Sequence, residues 1–399
     1  MMDLRSGLPY HWIRNGLPHT YPKLTADHRC DALVIGGGIT GALCAHALAQ
    51  AGVDTTVIEG RSIGTASTSA STALLQYEID TPMHRLAEMV GMDDAVASYR
   101  SCRSAVEELI ALGEELIPEM TARRYSVQYA STKSDLEDLR KEAELRTAHG
   151  FSVELLDSTG LSELLGIRKS GALVSRIAAE VDPYALTHAL MQRVIADGGA
   201  VYDRTRMETF DRDGEHHRIT TTEGHVIHAK HLIMATGYDS QQYLSEPVAE
   251  LDSTYAVVST RMDREILWAD NCLIWETATP YLYMRTTPDG RAMIGGLDEP
   301  FRDPKRRDAL LDRKTDRLTR AFKELMPGLP FEPEYSWCGT FGSSKDGLPY
   351  IDRDPGNGAW FVLGMGGNGI TFSQVGARIM RDVVTGVPSR EHRLFRFDR

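Results

Sequence analysis

Hydrophobic residues recur with two different periods along this chain, and the change of period separates its early region from its middle. Around residue 30, an apolar run enters a glycine-rich turn, a small-residue helix follows, and a second apolar run ends at residue 58. Helical spacing returns at 94–113, 134–148, 186–196 and about 371–385, and the charge of 134–148 predicts a solvated helix. Alternation with period two predicts a strand at 125–130 and hairpins at 218–236 and 281–296. This order predicts a doubly wound α/β domain interrupted by an antiparallel domain.

The glycine-rich turn has the form G-x-G-x-x-G, with glycines at 36, 38 and 41, and Glu59 ends the second strand. Gly36 permits the tight turn, Gly38 lets the backbone approach a pyrophosphate, and Gly41 lets the helix pack closely on the strand. The free N–H groups that open the helix attract phosphate. Glu59 can accept hydrogen bonds from a ribose 2′-hydroxyl and would repel a 2′-phosphate. The unit therefore predicts a bound dinucleotide other than NADP, and by itself leaves FAD and NAD open.

Length, charge and cysteine content exclude some classes of protein but do not identify the function. A length of 399 residues predicts two domains. The net charge of −12 argues against nucleic-acid binding and against an anionic membrane surface. Five scattered cysteines without a C-x-x-C pair predict reduced thiols in the cytoplasm rather than a disulfide framework or a zinc site. The first 28 residues lack the apolar stretch of a signal peptide, and we expect no membrane span anywhere in the chain.

The order of motifs resembles the D-amino-acid oxidase superfamily of FAD-dependent oxidoreductases, especially its glycine oxidase, sarcosine oxidase and γ-glutamylputrescine oxidase branches. After the G-x-G-x-x-G turn and Glu59 come further motifs of that family: the small-residue run 64–73, Val181-Asp-Pro-Tyr184, Ala235-Thr-Gly237, Lys345-Asp-Gly-Leu-Pro-Tyr-Ile351 and Gly364-Met-Gly-Gly-Asn-Gly-Ile370. The resemblance covers nearly the whole chain after residue 30. It implies that the dinucleotide is FAD rather than NAD.

The resemblance also implies how the chain is divided. We expect a Rossmann-like, glutathione-reductase-type FAD-binding domain and an antiparallel-sheet α+β substrate domain, both discontinuous because the chain passes twice between them. The expected boundaries are 29–85, 182–245 and 336–399 for the FAD-binding domain, and 86–181 and 246–335 for the substrate domain. Residues 1–28 form an N-terminal arm, either ordered or a free tail.

Contacts with FAD are implied at most of these motifs, and we expect the flavin to be held without a covalent bond. The expected cofactor-binding residues are Gly36, Gly38, Ile39, Thr40, Gly41, Glu59, Gly60, Arg61, Ser67, Thr68, Ser69, Thr72, Ala73, Leu74, Met207, Ala235, Thr236, Gly237, Gly339, Gly366, Gly367, Asn368, Gly369, Ile370 and Thr371. The turn that opens the last helix can place N–H groups and a positive dipole end against the flavin N1–C2=O edge. Cys338 lies one residue before the position of the sarcosine oxidase cysteine tether, so it would point to the other face of a strand.

The substrate side of the resemblance is incomplete. Arg85 stands where sarcosine oxidases keep an arginine that grips a carboxylate, and a surface helix arginine is the alternative. Tyr281 and Tyr283 share one strand face, either as part of an amine cage or as sheet packing. Glu78 follows the run 64–73, where an acid can pair with a cationic substrate end. Phe341 replaces the carboxylate-binding arginine of glycine oxidases, which argues against glycine as the substrate.

These features predict an enzyme that removes hydride from a carbon bonded to nitrogen in an amine or amino acid and passes it to flavin N5. The electron acceptor stays open between O2, a quinone and an electron-transfer protein, because Met293 replaces the lysine that sarcosine oxidases use to activate oxygen. A non-catalytic flavin-binding subunit of a heteromer and an NAD-dependent dehydrogenase are the alternatives. The histidines at 216, 217, 225, 228 and 231 lie on predicted hairpin strands without other ligands at suitable spacing, so no metal site is predicted.

Overall fold

The computed structural model describes residues 2–244, 246, 248–263, 267–363 and 366–399. Its strands are β1 (Arg5–Gly7), β2 (His28–Ile35), β3 (Thr55–Ile58), β4 (Leu74–Gln76), β5 (Thr121–Tyr129), β6 (Val153–Asp157), β7 (Gly171–Val181), β8 (Ala200–Tyr202), β9 (Met207–Asp213), β10 (His216–Thr221), β11 (Val226–Met234), β12 (Glu250–Ser259), β13 (Leu273–Glu276), β14 (Tyr283–Thr286), β15 (Ala292–Glu299), β16 (Pro333–Ser343), β17 (Tyr350–Arg353) and β18 (Trp360–Leu363). Its α-helices are α1 (Tyr10–Asn15), α2 (Ile39–Gln50), α3 (Ser67–Ala70), α4 (Met83–Val90), α5 (Met92–Leu116), α6 (Asp135–Ala148), α7 (Ser158–Leu165), α8 (Pro183–Ala196), α9 (Pro304–Ala309), α10 (Leu311–Leu325) and α11 (Gly369–Val384). Within the described ranges, no helix combines the length and the apolarity needed to cross a bilayer.

The smaller sheet contains the predicted βαβ unit. Its strands run in the order β17-β18-β11-β2-β3-β8, and the β9–β10 hairpin continues from β11. The neighbours from β18 to β8 are parallel, so their carboxyl ends meet at one edge. Ala32 and Val34 of β2 pack with α2, α8 and α11, whereas Leu33 and Ile35 pack with the apolar residues of β9 and β10. Because both faces of the strand are covered, its apolar run is unbroken.

The larger sheet is mainly antiparallel, as the hairpin patterns predict. Its order is β1-β16-β12-β15-β14-β13-β5-β7-β4, with β6 beside β7. A separate apolar core lies on this sheet, where Leu318 and Phe322 of α10 pack with Val257 of β12 and Ile294 of β15. The combination of a parallel and an antiparallel sheet confirms the predicted fold class. The domain boundaries remain a prediction, and β4 hydrogen-bonds with β7 of the larger sheet.

The N-terminal arm is ordered along residues 2–28. Strand β1 pairs antiparallel with β16, which sets Arg5 opposite Gly339. His11 Nδ1 lies 3.0 Å from Asp182 Oδ2, and both side chains are buried. The arm is therefore part of the folded body rather than a free tail, and it reaches the cavity described below.

The structure corrects the prediction for α6. The high charge of residues 134–148 predicts a solvated helix, yet α6 buries Leu139, Glu142, Ala143 and Arg146. The charge of this segment does not indicate exposure, because Arg146 and Glu142 pair with each other in the interior: Arg146 Nε donates to Glu142 Oε1 at 2.7 Å. The helix predicted at 94–113 is confirmed as part of α5, which buries the apolar residues Ala95, Tyr99, Cys102, Val106, Leu109 and Ile110.

Candidate active site

A cavity opens at the carboxyl-terminal edge of the parallel strands and continues to the larger sheet. Its walls include Gly36 after β2, Glu59 after β3 and Ala235 after β11, and Gly339 of β16 from the larger sheet. We call it the central cavity. Open α/β sheets bind ligands at this edge. All predicted cofactor-binding residues line the central cavity except Gly41 and Ser69.

The glycine-rich turn forms a floor that no larger residue would permit. Gly36 has a φ of +114°, and a β-carbon there would lie 2.4 Å from the carbonyl oxygen of Ala235. A β-carbon at Gly41 would lie 1.8 Å from the carbonyl oxygen of Gly36, so Gly41 shapes the turn from behind. The Ile39 N–H donates to Thr68 Oγ1 at 3.0 Å and ties the turn to the run 64–73. The bare backbone leaves room for a pyrophosphate at the start of α2.

Glu59 is held at one end of this floor by two backbone groups. Its Oε2 accepts from the Gly37 N–H and its Oε1 from the Arg61 N–H, both at 2.7 Å. Burial raises the pKa of Glu59, and these two hydrogen bonds oppose that rise. Each carboxylate oxygen has more than one lone pair, so the side chain can still accept a ribose hydroxyl.

The start of α11 forms another wall, although Gly364 and Met365 of this motif lie outside the described residues. The Thr371 hydroxyl donates to the Gln76 carbonyl at 3.0 Å, and the Gly367 N–H donates to Asp80 Oδ2 at 2.9 Å. The first N–H groups of a helix have no acceptor within the helix. Because Gly369 and Ile370 line the cavity, this helix end presents donors to it.

Aromatic rings close the cavity beside α11. The Trp275 and Tyr281 rings lie 5.8 Å apart and the Tyr281 and Tyr283 rings 5.9 Å apart, in edge-to-face contacts. The Tyr281 hydroxyl donates to Asp80 Oδ1 at 3.0 Å. Burial and the nearby Asp298 carboxylate raise the pKa of Tyr283 to about 12, so the phenol is a hydrogen-bond donor at neutral pH. We call this part of the cavity the aromatic end.

Sequence reasoning missed two residues of the aromatic end. Trp275 lines the cavity from β13, and Asp298 lines it from β15. Trp275 shares the face of Tyr283 because the two residues are paired across β13 and β14. A search for aromatic residues on neighbouring strands would have found Trp275. Asp298 depends on an irregularity of β15, which no single-strand pattern reveals.

The structure places Arg85 outside the cavity, which corrects its predicted role as the carboxylate-binding residue. Arg85 lies on the exposed side of α4, and its guanidinium donates to Asp138 Oδ2 of α6 at 2.8 Å. Its side chain is 60% exposed. The neighbours Met83 and Leu86 are buried instead, so the helical phase of α4 turns Arg85 toward solvent.

Glu78 is likewise misassigned as a substrate contact. Its carboxylate is buried behind the cavity wall, with Oε1 3.7 Å from Arg146 Nη1. The lining residue on this segment is Gln76, two positions earlier. Glu78 instead supports the cavity wall through its backbone carbonyl oxygen, which accepts a hydrogen bond from the side chain of the lining residue Asn368. Tyr281, Tyr283 and Phe341, by contrast, do line the cavity.

Cys338 and the histidine cluster stay outside the site. Cys338 is buried on the face of β16 opposite the cavity, with its thiol 3.4 Å from Asp308 Oδ1, whereas Gly339 lines the cavity. The alternation predicted for β16 therefore holds. Across the described part of the chain, no three histidine, cysteine or acidic residues come together as a metal site.

Comparison with known proteins identifies the family. The model of the DAO family, described as FAD dependent oxidoreductase, matches residues 31–383. The chain belongs to this family. FAD is accordingly its cofactor, which confirms the prediction of FAD over NAD. The bare glycine floor, Glu59 and the α11 donors are groups that suit a dinucleotide with a flavin ring.

Relatives in the family carry several activities in their names. Glycine oxidase of Bacillus licheniformis is 27% identical over 371 residues, which cover 90% of this chain and 94% of that protein. Gamma-glutamylputrescine oxidoreductase of Escherichia coli (strain K12) is 25% identical over 392 residues, covering 93% and 87%. The structure of L-proline dehydrogenase from P. horikoshii superposes with a TM-score of 0.78 at 18% identity, covering 93% of this chain and 98% of the other. The names of these proteins differ in substrate.

Proposed function

We propose that the protein oxidises a C–N bond of an amine or amino acid to an imine, with FAD accepting the hydride. The observation that carries this proposal is one continuous cavity with two chemically different ends. Glu59 and the glycine floor suit the nucleotide half of FAD, and the aromatic end with Tyr281 and Tyr283 lies beside the start of α11. A substrate between the aromatic rings and the flavin would be shielded from water, as hydride transfer requires.

The cofactor contacts proposed here divide by their chemistry. Glu59 accepts from the ribose, the turn at 36–41 faces the pyrophosphate, and the N–H groups at the start of α11 face the flavin edge on which negative charge collects. The cofactor is held without a covalent bond, since Gly339 and not Cys338 faces the cavity. The N–H groups of α11 would favour the reduced flavin modestly.

The electron acceptor of the proposed reaction is O2, a quinone or a protein. An acceptor other than O2 is supported by Met293, which occupies the position of the oxygen-activating lysine in sarcosine oxidases and is buried with Trp337 and Tyr10. The names of the relatives include both oxidases and D-amino acid dehydrogenases.

A visible spectrum followed by anaerobic mixing tests the proposal. The purified protein should show oxidised flavin bands that remain in the supernatant after acid precipitation. One member of a panel of amines and amino acids should bleach these bands without oxygen. Reoxidation by air and by a soluble quinone, compared on the same bleached sample, then identifies the acceptor class. A flavin that dithionite reduces but that no amine or amino acid reduces would overturn the proposed reaction.

A further inference from the structure

Strand β15 carries a bulge at the aromatic end of the cavity. Ser253 of β12 pairs with Glu299 and Tyr255 pairs with Gly296, so Thr254 alone faces both Leu297 and Asp298. An extra residue in one strand bends that strand and redirects its side chains, and bulges are common beside active sites. Here the bulge brings Asp298 into the cavity wall.

The bulge is held in place at a cost in backbone strain. Leu297 has a φ of +58°, a conformation that branched side chains rarely adopt. The buried ammonium of Lys314 on α10 donates to the Leu297 carbonyl oxygen and to Glu299 Oε1, on the side away from the cavity. Strained backbone that its surroundings stabilise is concentrated at functional sites. The strain at Leu297 therefore points to a use for the neighbouring side chain.

Asp298 is incompletely satisfied within the protein. The Thr254 hydroxyl on the neighbouring strand β12 lowers the pKa of its carboxyl group. Its Oδ1 is buried and accepts no hydrogen bond from any described residue. A buried carboxylate oxygen without a donor is unfavourable, so the expected partner is a ligand that brings a donor or a positive charge.

The charges lining the cavity differ between its two ends. Among the described lining residues, the arginines and lysines are Arg61 and Arg206, and both lie near Glu59. Arg61 follows Glu59 closely in sequence, and the Thr205 N–H beside Arg206 donates to the Glu59 carbonyl oxygen. The aromatic end instead combines Asp298 with three aromatic rings, whose faces attract cations. None of the residues described at the aromatic end is a cation that could bind a substrate carboxylate.

We propose that Asp298 binds the positively charged nitrogen of the substrate, so that the aromatic end selects cationic amines over compounds recognised by a carboxylate. The inference rests on the proposed function, because it assigns the substrate to the same cavity as FAD. It differs from the expectation that Arg85 grips a carboxylate, and it makes Asp298 a residue that determines specificity.

The protonation state of Asp298 provides a second test, through the pH dependence of ligand binding. Burial, together with Asp252 on β12 and Asp80, raises its pKa to about 6, against the opposing effects of the Thr254 hydroxyl and of Lys314 on α10. Tyr283 on β14 faces the same carboxylate with its phenol protonated. A cationic ligand should therefore bind more weakly as the pH falls through about 6, where Asp298 becomes neutral.

The test is a pair of ligands with the same phenylethyl group and opposite charge. Binding of 2-phenylethylammonium and of 3-phenylpropionate is measured anaerobically by the shift of the flavin spectrum, in the FAD-loaded protein and in Asp298→Asn. We expect the variant to bind the ammonium roughly 10- to 100-fold more weakly, because it loses a charged hydrogen bond. Binding of the carboxylate should stay equal or become tighter. Equal effects on both ligands, or none on the ammonium, would overturn the assignment.

Controls separate this inference from the proposed function. Asp252→Asn removes a nearby carboxylate that does not line the cavity, and it should leave ammonium binding within a few-fold of the unchanged protein. Asp298→Glu keeps the charge and should restore part of the affinity. If Asp298→Asn loses FAD, the pH dependence of ammonium binding in the unchanged protein decides, and a flat profile between pH 5 and 8 refutes the proposal. Failure of every amine to reduce the flavin refutes the proposed function alone, because the binding assay needs no turnover.

Discussion

Replacing Glu59 by glutamine tests the nucleotide end of the cavity with a nearly isosteric change. The carboxylate accepts one N–H on each oxygen, from Gly37 on Oε2 and from Arg61 on Oε1. Glutamine has one oxygen and an NH2 group, so one of the two backbone N–H groups would face another donor. A buried donor left without an acceptor costs about 1–3 kcal/mol. This part of the loss falls on the protein with or without FAD.

The loss in FAD affinity has a separate origin. Glu59 is expected to accept a ribose hydroxyl, and a hydrogen bond to a charged group contributes about 1.5–3 kcal/mol. Glutamine replaces one oxygen by an NH2 group and its remaining oxygen is uncharged, so the charged hydrogen bond to the ribose is lost. The Kd for FAD should therefore rise roughly 10- to 150-fold, since about 1.4 kcal/mol is a factor of ten.

Two measurements distinguish these contributions. Chemical denaturation of the FAD-free protein gives the stability loss, and fluorescence titration of the FAD-free protein with FAD gives the affinity loss. Glu154→Gln, which removes an exposed partner of Arg176, is the matched control and should change neither. An unchanged Kd together with lowered stability would show that Glu59 only shapes the turn, and the ribose contact would then be wrong.

Three further predictions concern the frame around the site. Gly41→Ala should reduce FAD retention after purification, because its β-carbon would lie 1.8 Å from the Gly36 carbonyl oxygen, whereas Gly328→Ala meets open space and serves as control. Burial opposes ionisation of Glu142, but Arg146 and His84 lower its pKa to about 2. The free energy of unfolding should thus fall by about 3 kcal/mol as the pH drops from about 4.5 to 2. Chemical denaturation at each pH measures this fall, which should be smaller in Glu142→Gln. Deletion of residues 1–8 should speed FAD release in stopped-flow dilution, because Leu4 lines the cavity and β1 pairs with β16; equal release rates would contradict this.

The sequence predicted the nucleotide end of the cavity well because its signals are local. The turn from Gly36 to Gly41 needs bare backbone, and that need is met within a few residues of the chain. Strand β2 is buried on both faces, so its apolar run is continuous and easy to recognise. The same holds for the glycines that open α11, which are adjacent in sequence and in the wall.

The substrate end was predicted poorly because its residues depend on the relation between distant segments. Arg85 has a suitable sequence spacing, but the phase of α4 turns it toward Asp138. Glu78 follows a short strand, and its partner Arg146 comes from a helix that the charge pattern assigned to solvent. Asp298 reaches the cavity through a mismatch between β12 and β15, a property of two strands that neither shows alone.

Glu59 and Asp298 are both partly buried acids at the cavity wall, yet their hydrogen-bond partners imply different roles. Both oxygens of Glu59 already receive backbone N–H groups, so a substitution that removes one oxygen leaves one of these donors without an acceptor even before a ligand binds. Asp298 has an oxygen without a donor among the described residues, so its charge is unfavourable until a ligand supplies one. Glu59→Gln should therefore destabilise the ligand-free protein, whereas Asp298→Asn should leave its stability unchanged or raise it. That contrast in stability distinguishes an acid that stabilises the turn from an acid whose partner is a cationic substrate.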